Sequence, residues 1–236
     1  MSAQLTQQAL TILNARYLMR DEQGNVVENS DGMFRRVAGH VASVEKDAYK
    51  WTEIFDEYLS ELRFLPNSPC LANAGKVNGQ LSACFVIPVG DSIEEIFRAI
   101  SDAALIHKTG GGTGFNFSNL RRAGGVVKST GQIASGPVSF MRVFDAATGA
   151  IKQGGVRRGA NIGLLRVDHP DILEFIHCKD GGGLENFNIS VMITDEFMKA
   201  VDGRQSFKGE GGRFLYRMED PSTGLITSYK DARKVW

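Results

Sequence analysis

Apolar residues recur at two different spacings along the chain, and the change between them falls near Pro66. Before that proline, one segment carries the apolar face of a helix, formed by Trp51, Ile54, Phe55, Tyr58, Leu59 and Leu62. From about Leu81, strand-like and helix-like segments alternate, beginning with "LSACFVIPV" and continuing with "DSIEEIFRAISDAALIHK". A strand followed by a helix is the repeating unit of a parallel sheet. The pattern therefore predicts a helical N-terminal part followed by an α/β part.

Later segments continue the alternation and carry recognisable helix starts. The strand-like stretches are "GFNFSNL", "NIGLLRV" and "FNISVMI", and the helices between and after them cover residues 137–151, part of "DHPDILEF" and a segment after Thr194. Ser92 with Glu95 forms a capping-box pattern, and Pro137 suits a first helical turn. The stripe predicted for the helix that follows Ser92 is Ile93, Ile96, Phe97, Ile100 and Ala104. The final "DARKVW" predicts another helix that is cut off, so we expect the chain to be part of a longer domain.

Composition and charge narrow the class of protein. The chain has 236 residues, of which 42% are hydrophobic, and 27 basic side chains balance 27 acidic ones. Balanced charge excludes bulk attraction to nucleic acid or to an anionic membrane as the main function. No run of about 18 apolar residues occurs, and the N-terminus lacks the regions of a signal peptide. We therefore expect a cytoplasmic protein that binds neither membranes nor nucleic acid.

The cysteines and histidines form no pattern of metal ligands. Cys70, Cys84 and Cys178 fit neither a disulfide framework nor paired zinc-ligand spacing, which predicts reduced thiols. The apolar strand "SACFV" favours a buried, inert thiol for Cys84, and Cys70 could equally serve packing. The histidines that we interpret as structural are His107, His169 and His177. The sequence therefore predicts no metal site.

Two glycine-rich polar loops are candidates for a nucleotide site. The stretch "IKQGGVRRG" places Gln153, Arg157 and Arg158 among glycines, so that guanidinium groups can meet phosphates and an amide can meet a base edge. The stretch "NLRRAGGVVKSTGQIASG" has a similar composition one unit earlier, and both loops could converge at one end of a parallel sheet. "HKTGGGTGFNF" matches neither common nucleotide fingerprint. Ordinary glycine turns and a solvated basic loop remain open, and Asp91 is either a helix-start acid or an acceptor for a ribose hydroxyl.

Five long motifs, in order, carry a resemblance that covers almost the whole chain. They are "NSPCLANAG", "QLSACFVIPVGDSIEEIF", "HKTGGGTGFNFSNLR", "VVKSTGQIASGPVSFMRVFDAATGAIKQGGVRRGAN" and "DHPDILEFIHCKD". Together they resemble the large catalytic subunit of ribonucleotide reductases, most of all the adenosylcobalamin-dependent, class II branch. The resemblance implies a helical N-terminal domain over residues 1–80, followed over residues 81–236 by the first half of a ten-stranded α/β barrel. It also implies reduction of ribonucleotides at the 2′ position by a protein thiyl radical.

The resemblance assigns roles at the substrate site. Cys84 matches one of the two thiols that supply the reducing electrons and form a disulfide in each turnover, which overturns the interpretation as an inert thiol. Ser68 matches a contact at the phosphate end of the substrate, and Ala83 and Cys84 match contacts near the ribose. Gly112 matches a glycine against which the substrate lies. Cys70 and Cys178 match no redox position.

The resemblance also implies an allosteric site at a homodimer interface, where a deoxynucleoside triphosphate or ATP selects the base to be reduced. The implied effector contacts are Asp91, Ser92, Ile93, Lys108, Arg121, Lys128, Ser129, Gln153 and Arg157. Lys128 and Ser129 belong to a first effector loop. Gln153 and Arg157 belong to a second loop, "KQGGVRRG", which lies between effector and substrate and carries base identity from one to the other.

The family's radical-forming cysteine and the partner thiol of Cys84 are expected beyond Trp236, as are most contacts to adenosylcobalamin. We therefore expect this chain to need a second chain or a C-terminal segment that completes the barrel, and to be inactive alone. A thioredoxin-type protein is the expected reductant, and the substrate is either a diphosphate or a triphosphate. A nucleotide-sensing module without catalysis and a fragment of a class I, iron-dependent reductase are the alternative functions.

Overall fold

The structure is a computed structural model, and it describes residues 4–77, 79–127, 131–151, 159–204 and 214–236. The chain forms two compact units, one of Met1–Ala83 with Thr109–Gly111 and one of Cys84–Lys108 with Gly112–Trp236. The domain boundary after residue 80 stays a prediction. The fold class is as predicted, because helices precede an α/β region with a parallel sheet. The number of ten strands also stays a prediction.

The first unit is helical. Its helices are α1 (Gln7–Arg16), α2 (Ser30–Ala42), α3 (Ala48–Ser60) and α4 (Ser68–Asn73). Each begins after a polar residue whose side chain accepts a hydrogen bond from a backbone N–H of the first turn. The core residues of this unit are Met33, Phe34, Val37, Ala38, Leu59, Cys70, Leu71 and Ala74.

The predicted apolar face of α3 is only partly buried. Leu59 is 4% exposed and Phe55 packs against the core, whereas Trp51 and Tyr58 are 36% and 42% exposed. Leu62 lies beyond the helix with a positive φ of 58°, so it cannot continue the stripe. Phe55, Tyr58 and Leu59 line an apolar cavity, and this explains why the face is not fully covered.

The second unit contains four parallel strands in the order β1-β2-β3-β4. The strands are β1 (Cys84–Pro88), β2 (Gly112–Asn116), β3 (Asn161–Arg166) and β4 (Phe187–Met192). They are connected in turn by α5 (Ile93–Lys108), α6 (Pro137–Ala150) and α7 (Ile172–Ile176), and α8 (Asp195–Val201) follows β4. The alternation of strands and helices is therefore as predicted.

The helices of this unit cover one face of the parallel sheet. The residues that pack on this covered side are the strand residues Ile87, Phe115, Leu165 and Phe187 and, directly after β2, Phe117, all at most 6% exposed. Phe144 of α6 stacks against Phe115 with ring centroids 4.6 Å apart. The exposed residues of the opposite face, which we call the open face, are Cys84, Val86, Pro88, Ile162, Arg166, Asn188, Ser190 and Met192. Because side chains alternate along a strand, each strand gives residues to both faces.

The buried side of α5 differs from the predicted stripe. Ile96, Ala99, Ala103 and His107 are buried, whereas Ile93 and Phe97 are 56% and 51% exposed. Spacings of three and four residues define both sets, so periodicity alone could not choose between them. The small side chains of Ala99 and Ala103 allow the helix backbone to lie close to its neighbours in the core.

The C-terminal part forms an antiparallel hairpin of β5 (Leu215–Asp220) and β6 (Leu225–Asp231). The helix predicted at "DARKVW" is wrong, because only a 3-10 turn over Ala232–Lys234 follows the hairpin. Tyr216 is 1% exposed and packs edge-on against Phe197 of α8, with ring centroids 4.9 Å apart. Among the helices of the described ranges, none has the length and apolarity that crossing a bilayer requires.

Candidate functional site

Cys84 is the first residue of the edge strand β1, and its side chain is exposed on the open face. The buried thiol that the strand context favoured is therefore wrong. An apolar strand predicts burial only when both faces of the sheet are covered, and the described residues cover only one face. Neither other cysteine is exposed: Cys70 is buried and Cys178 is half-buried. Burial raises the pKa of both these thiols, which disfavours their thiolates.

Two glycines of β2 lie beside the exposed side of β1. Gly112 is the register partner of Cys84, and Gly114 is the partner of Val86. Parallel neighbours lie about 4.8 Å apart, so the thiol stands next to a position without a side chain. A Cβ on Gly114 would lie 3.0 Å from the Ile162 Cγ2 atom of the next strand. Gly114 is buried beside Ile162, whereas Gly112 is only half-buried and leaves backbone beside Cys84 that a planar or small ligand group can approach.

Ser68 is fixed within the first unit as the first residue of α4. The side chain of Asn67 accepts from Cys70 N at 2.8 Å, and the Tyr17 hydroxyl donates to Ser68 Oγ at 3.1 Å. Arg36 holds the other end of this short helix by donating to the carbonyl oxygens of Leu71 and Ala74. Ser68 and Ala83 belong to the first unit, whereas Cys84 and Gly112 belong to the second. Their convergence on one substrate stays a prediction.

Asp91 and Arg121 form an ion pair at the carboxyl ends of β1 and β2. Asp91 Oδ1 accepts from Arg121 N at 2.9 Å, and Asp91 Oδ2 accepts from Arg121 Nε at 2.8 Å. The guanidinium also lies 3.3 Å from the Asp91 carbonyl oxygen and 3.5 Å from that of Val126. The side chains are 26% and 23% exposed, so this pair is neither fully solvated nor dry. The structure therefore joins two predicted effector residues that are 30 positions apart, and the carboxylate orients the guanidinium.

Ser92 begins α5 as predicted. Its hydroxyl accepts from Glu95 N at 3.2 Å and donates to Glu95 Oε2 at 2.8 Å, which confirms the predicted pairing of these residues at the helix start. Ile93 follows as the first helical residue with an exposed side chain. The predicted triplet Asp91, Ser92 and Ile93 thus lies at one helix start, next to Arg121.

Lys108 is the last residue of α5 and is exposed. At 1.5 Å per residue, fifteen helical steps separate it from Ile93 by about 22 Å. A single chain therefore does not bring Lys108 to the Asp91–Arg121 pair.

The expectation that both polar loops lie at one end of the sheet is also wrong for a single chain. The loop after β2 leaves the carboxyl ends of the strands, whereas residues 152–158 precede β3, because α6 returns the chain to the amino ends. Lys128, Ser129, Gln153 and Arg157 lie outside the described residues.

The described stem of the first loop is held by backbone pairing. Val126 and Ile133 form an antiparallel bridge, and Gly124 N donates to Ala134 O at 2.9 Å. The Asp171 carboxylate accepts from Ala123 N at 2.7 Å and ties the stem to the start of α7. The predicted contacts Lys128 and Ser129 therefore follow directly after an anchored stretch of backbone.

A buried polar cluster lies at the amino ends of β2 and β3. Asn161 Oδ1 accepts from Thr113 Oγ1 at 2.7 Å and lies 3.0 Å from His107 Nε2. Asn161 Nδ2 donates to Thr148 Oγ1 at 2.9 Å, and this hydroxyl donates to Phe144 O at 2.8 Å. The four polar side chains of the cluster are at most 5% exposed. Sequence reasoning identified His107 as structural but missed Asn161 and Thr148, whose signal was polarity at inward-facing positions.

Comparison with known proteins places the chain in a family. The ribonucleotide reductase all-alpha domain matches residues 3–79, and the ribonucleotide reductase barrel domain matches residues 82–229. A vitamin B12-dependent ribonucleoside-diphosphate reductase of Thermoplasma acidophilum is 41% identical and covers 98% of this chain and 37% of its own length. A Mycobacterium tuberculosis protein of the same name is 43% identical, and the match covers 97% of this chain and 33% of that protein. The ribonucleoside-diphosphate reductase subunit alpha of Helicobacter pylori is 32% identical, and the match covers 79% of this chain and 24% of that protein. The chain thus spans about a third of the length of the first two relatives, and it belongs to the ribonucleotide reductase large-subunit family.

Proposed function

We propose that this chain is part of the catalytic subunit of a cobalamin-dependent ribonucleotide reductase, in which Cys84 is one of the two reducing thiols. The observation that carries the proposal is the exposed Cys84 thiol beside Gly112 on the open face of the sheet. A reducing thiol must reach both a substrate and a second sulfur, which a buried thiol cannot do. The B12-dependent relatives support a cobalamin cofactor.

The proposed reaction balances with Cys84 and one further thiol. The substrate loses its 2′-hydroxyl group, which takes up a proton and leaves as water, and hydrogen replaces it at C2′. The two thiols supply two electrons and two protons and become a disulfide. A thiyl radical on a cysteine outside this chain starts and ends the sequence. A thioredoxin-type dithiol then reduces the disulfide by thiol–disulfide exchange.

Within this chain, the residues around Cys84 bind and orient the substrate rather than react. Gly112 leaves room for the ribose beside the thiol, and Ala83, which precedes Cys84, would contact the same sugar. Ser68, whose hydroxyl is held by Tyr17, would meet the substrate phosphates, of which there are two or three. This arrangement requires Ser68 to face the same ligand as Cys84.

The described residues offer no prepared site for the corrinoid. They contain no group of three or more His, Cys, Asp and Glu side chains that could hold a metal ion. His107 and His169 are buried in hydrogen bonds, and the His177 ring lies 2.8 Å from Asp180 at the surface. As the resemblance implies, we expect most contacts of adenosylcobalamin to lie on residues outside this chain.

We further infer that deoxynucleoside triphosphates or ATP bind at the Asp91–Arg121 pair in a homodimer. One copy keeps this pair and Lys108 about a helix length apart, but two copies with antiparallel α5 helices bring the end of one α5 beside the start of the other. Ile93, Phe97 and Leu105 are 56%, 51% and 63% exposed on α5 and supply apolar area for that contact. Lys128 and Ser129 of one copy would then share the effector with Lys108 of the other, while Gln153 and Arg157 couple it to the substrate.

The proposal is tested by Cys84→Ser in the complete protein, or in this chain mixed with the segment that completes the barrel. With adenosylcobalamin, reductant and each ribonucleotide, we expect deoxynucleotide formation to fall by at least about a thousandfold, because one of the two electron donors is lost. Cys178→Ser is the matched control and should retain activity. Unchanged turnover of Cys84→Ser would refute the redox role.

Two outcomes would favour other functions. Nucleotide binding without reduction by the wild type would support a sensing module, for which the preformed Asp91–Arg121 pair is the favouring observation. Activity that requires an iron-containing partner instead of a corrinoid would support a class I reductase. The similar subunit alpha of Helicobacter pylori is not named as vitamin B12-dependent.

A further inference from the structure

Asn161 joins four elements of the second unit through one buried amide. Its side chain contacts His107 at the end of α5, Thr113 at the start of β2 and Thr148 in the last turn of α6, while Asn161 itself begins β3. A side-chain amide accepts through its oxygen and donates through its nitrogen, whereas an ionised Asp only accepts and Leu does neither, so Asp or Leu could not make the same set of contacts. Because its Oδ1 atom accepts, the His107 nitrogen that faces it carries a hydrogen.

One arm of this amide connects the two ends of the second loop. Thr148 lies three residues before Ile151, and Asn161 lies two residues after Gly159, so the bond between them closes the base of residues 152–158. Gly159 is buried in this base, where an added Cβ would lie 2.5 Å from Thr148 Cγ2. Glycine is therefore needed at residue 159 for the threonine methyl and the returning chain to lie together.

The other contact of the amide reaches the residue after Gly112, from the covered side of the sheet. Thr113 follows Gly112, which is the register partner of Cys84, and Thr113 N also donates to Ala160 O at 3.0 Å. His107 precedes Lys108, a predicted effector contact. A shift of the loop base would thus move the backbone next to the reactive thiol and the end of α5 together, because packed interiors transmit displacement.

We propose that Asn161 is a positioning residue that couples the base of the second loop to Gly112, so that the effector-dependent choice of substrate base passes through its amide. The inference rests on the proposed reductase function. Neither Asn161 nor Thr148 touches substrate or effector in this proposal. Both act by fixing where the two ends of residues 152–158 stand relative to the start of β2.

The decisive variant is Thr148→Val in the complete protein, because it keeps the shape and the methyl group near Gly159 but removes the acceptor for Asn161. We expect the ratio of reduction rates with and without the matching effector to fall about fivefold. The effector dissociation constant, measured without substrate, should change by less than about twofold, because Thr148 itself contacts no effector in this proposal. Fivefold corresponds to ~1 kcal/mol of coupling, at 1.4 kcal/mol per tenfold.

Two further variants separate coupling from plain stability. Thr148→Ser restores the hydroxyl and should recover the wild-type ratio. Thr52→Val is the matched control, because the Thr52 hydroxyl donates to Ala48 O at 2.7 Å inside α3, as Thr148 does inside α6, but lies in the other unit. An unchanged ratio in Thr148→Val, or an equal loss of rate on all substrates with the ratio intact, would overturn the proposal.

A measurement without catalysis tests the anchoring separately. Trypsin can cleave within the second loop after Lys152, Arg157 and Arg158, and the bond after Lys208 is an internal reference. Under native conditions we expect Thr148→Val to speed cleavage in the loop about fivefold relative to the reference, and equal relative rates would overturn the anchoring role. If the wild type reduces no ribonucleotide, the proposed function fails, whereas this comparison still decides whether Asn161 anchors the loop.

Discussion

Replacing Asp91 by Asn tests whether the Asp91–Arg121 pair organises an effector site. The substitution keeps the side-chain shape and one acceptor but removes the charge that holds the guanidinium through Nε and Nη2. The pair is about a quarter exposed, so its loss should lower the free energy of unfolding by an amount between the values for surface and buried pairs, about 1.5 kcal/mol. For a domain of this size, that corresponds to a decrease in Tm of about 3–6 °C.

The effect on ligand binding is a separate quantity. If Arg121 meets effector phosphates, an unoriented guanidinium should weaken the dissociation constant for deoxynucleoside triphosphates about tenfold, or ~1.4 kcal/mol. Isothermal titration calorimetry at low and moderate salt measures this constant, and the difference between variants should shrink as salt increases.

The matched control is Asp168→Asn. Asp168 pairs with Arg166 through two hydrogen bonds at the carboxyl end of β3, the strand next to β2, and it is absent from the predicted effector contacts. Asp168→Asn should lower Tm by an amount similar to that of Asp91→Asn and leave nucleotide affinity unchanged. Equal loss of affinity in both variants, or none in Asp91→Asn, would refute the assignment of the effector site.

Three further outcomes are expected. Burial works to raise the pKa of Glu28, but hydrogen bonds from Arg36 and a backbone N–H outweigh it and lower the pKa below 4.5. Glu28→Gln should therefore lower the free energy of unfolding by about 1–3 kcal/mol above pH 4.5. In thermal melts from pH 3 to 7, the difference from wild type should vanish as pH falls through the folded-state pKa. Gly159→Ala should lower Tm by several degrees because its Cβ would be 2.5 Å from a methyl group, whereas Gly149→Ala, with ordinary contact at 3.5 Å, should not. Mass spectrometry after brief alkylation should find Cys84 modified at least about tenfold faster than the other two cysteines, and equal rates would contradict its exposure.

The order of elements could be predicted because it depends on local spacing. The pattern correctly places the strands at "CFVIP", "NIGLLR" and "FNISVM", the capping pair that begins at Ser92 and the helix that follows Thr194. The C-terminal hairpin was missed, although "DPSTG" between alternating residues is a turn signal. Alternate residues of β5 are buried, and one of them, Tyr216, packs on Phe197 of α8, whereas β6 is mostly exposed. Contacts between separate elements are not visible in the local pattern.

The chemistry of the site depended on tertiary facts that spacing cannot supply. Cys84 is exposed because it lies on the side of the sheet that the helices leave uncovered. The sequence of a five-residue apolar strand does not indicate which side that is. The pairing of Asp91 with Arg121 requires two adjacent parallel strands to end together. The Asn161 cluster was invisible because each member, taken singly, resembles an ordinary helix-end or strand-start residue.

The length of α5 constrains how this part of the sequence can change over time. The helix begins beside Asp91 and Arg121 and ends at Lys108. In the proposed homodimer, its length would set the distance between these two parts of the effector site, which we call half-sites. Inserting one residue would rotate one end by about 100° relative to the other and lengthen the helix by 1.5 Å. Exposed positions such as Glu94 and Arg98 can be substituted freely, but an insertion or deletion would misalign both half-sites in every copy of an assembly at once. Homologous chains should therefore vary in the composition of this helix while keeping its sixteen residues.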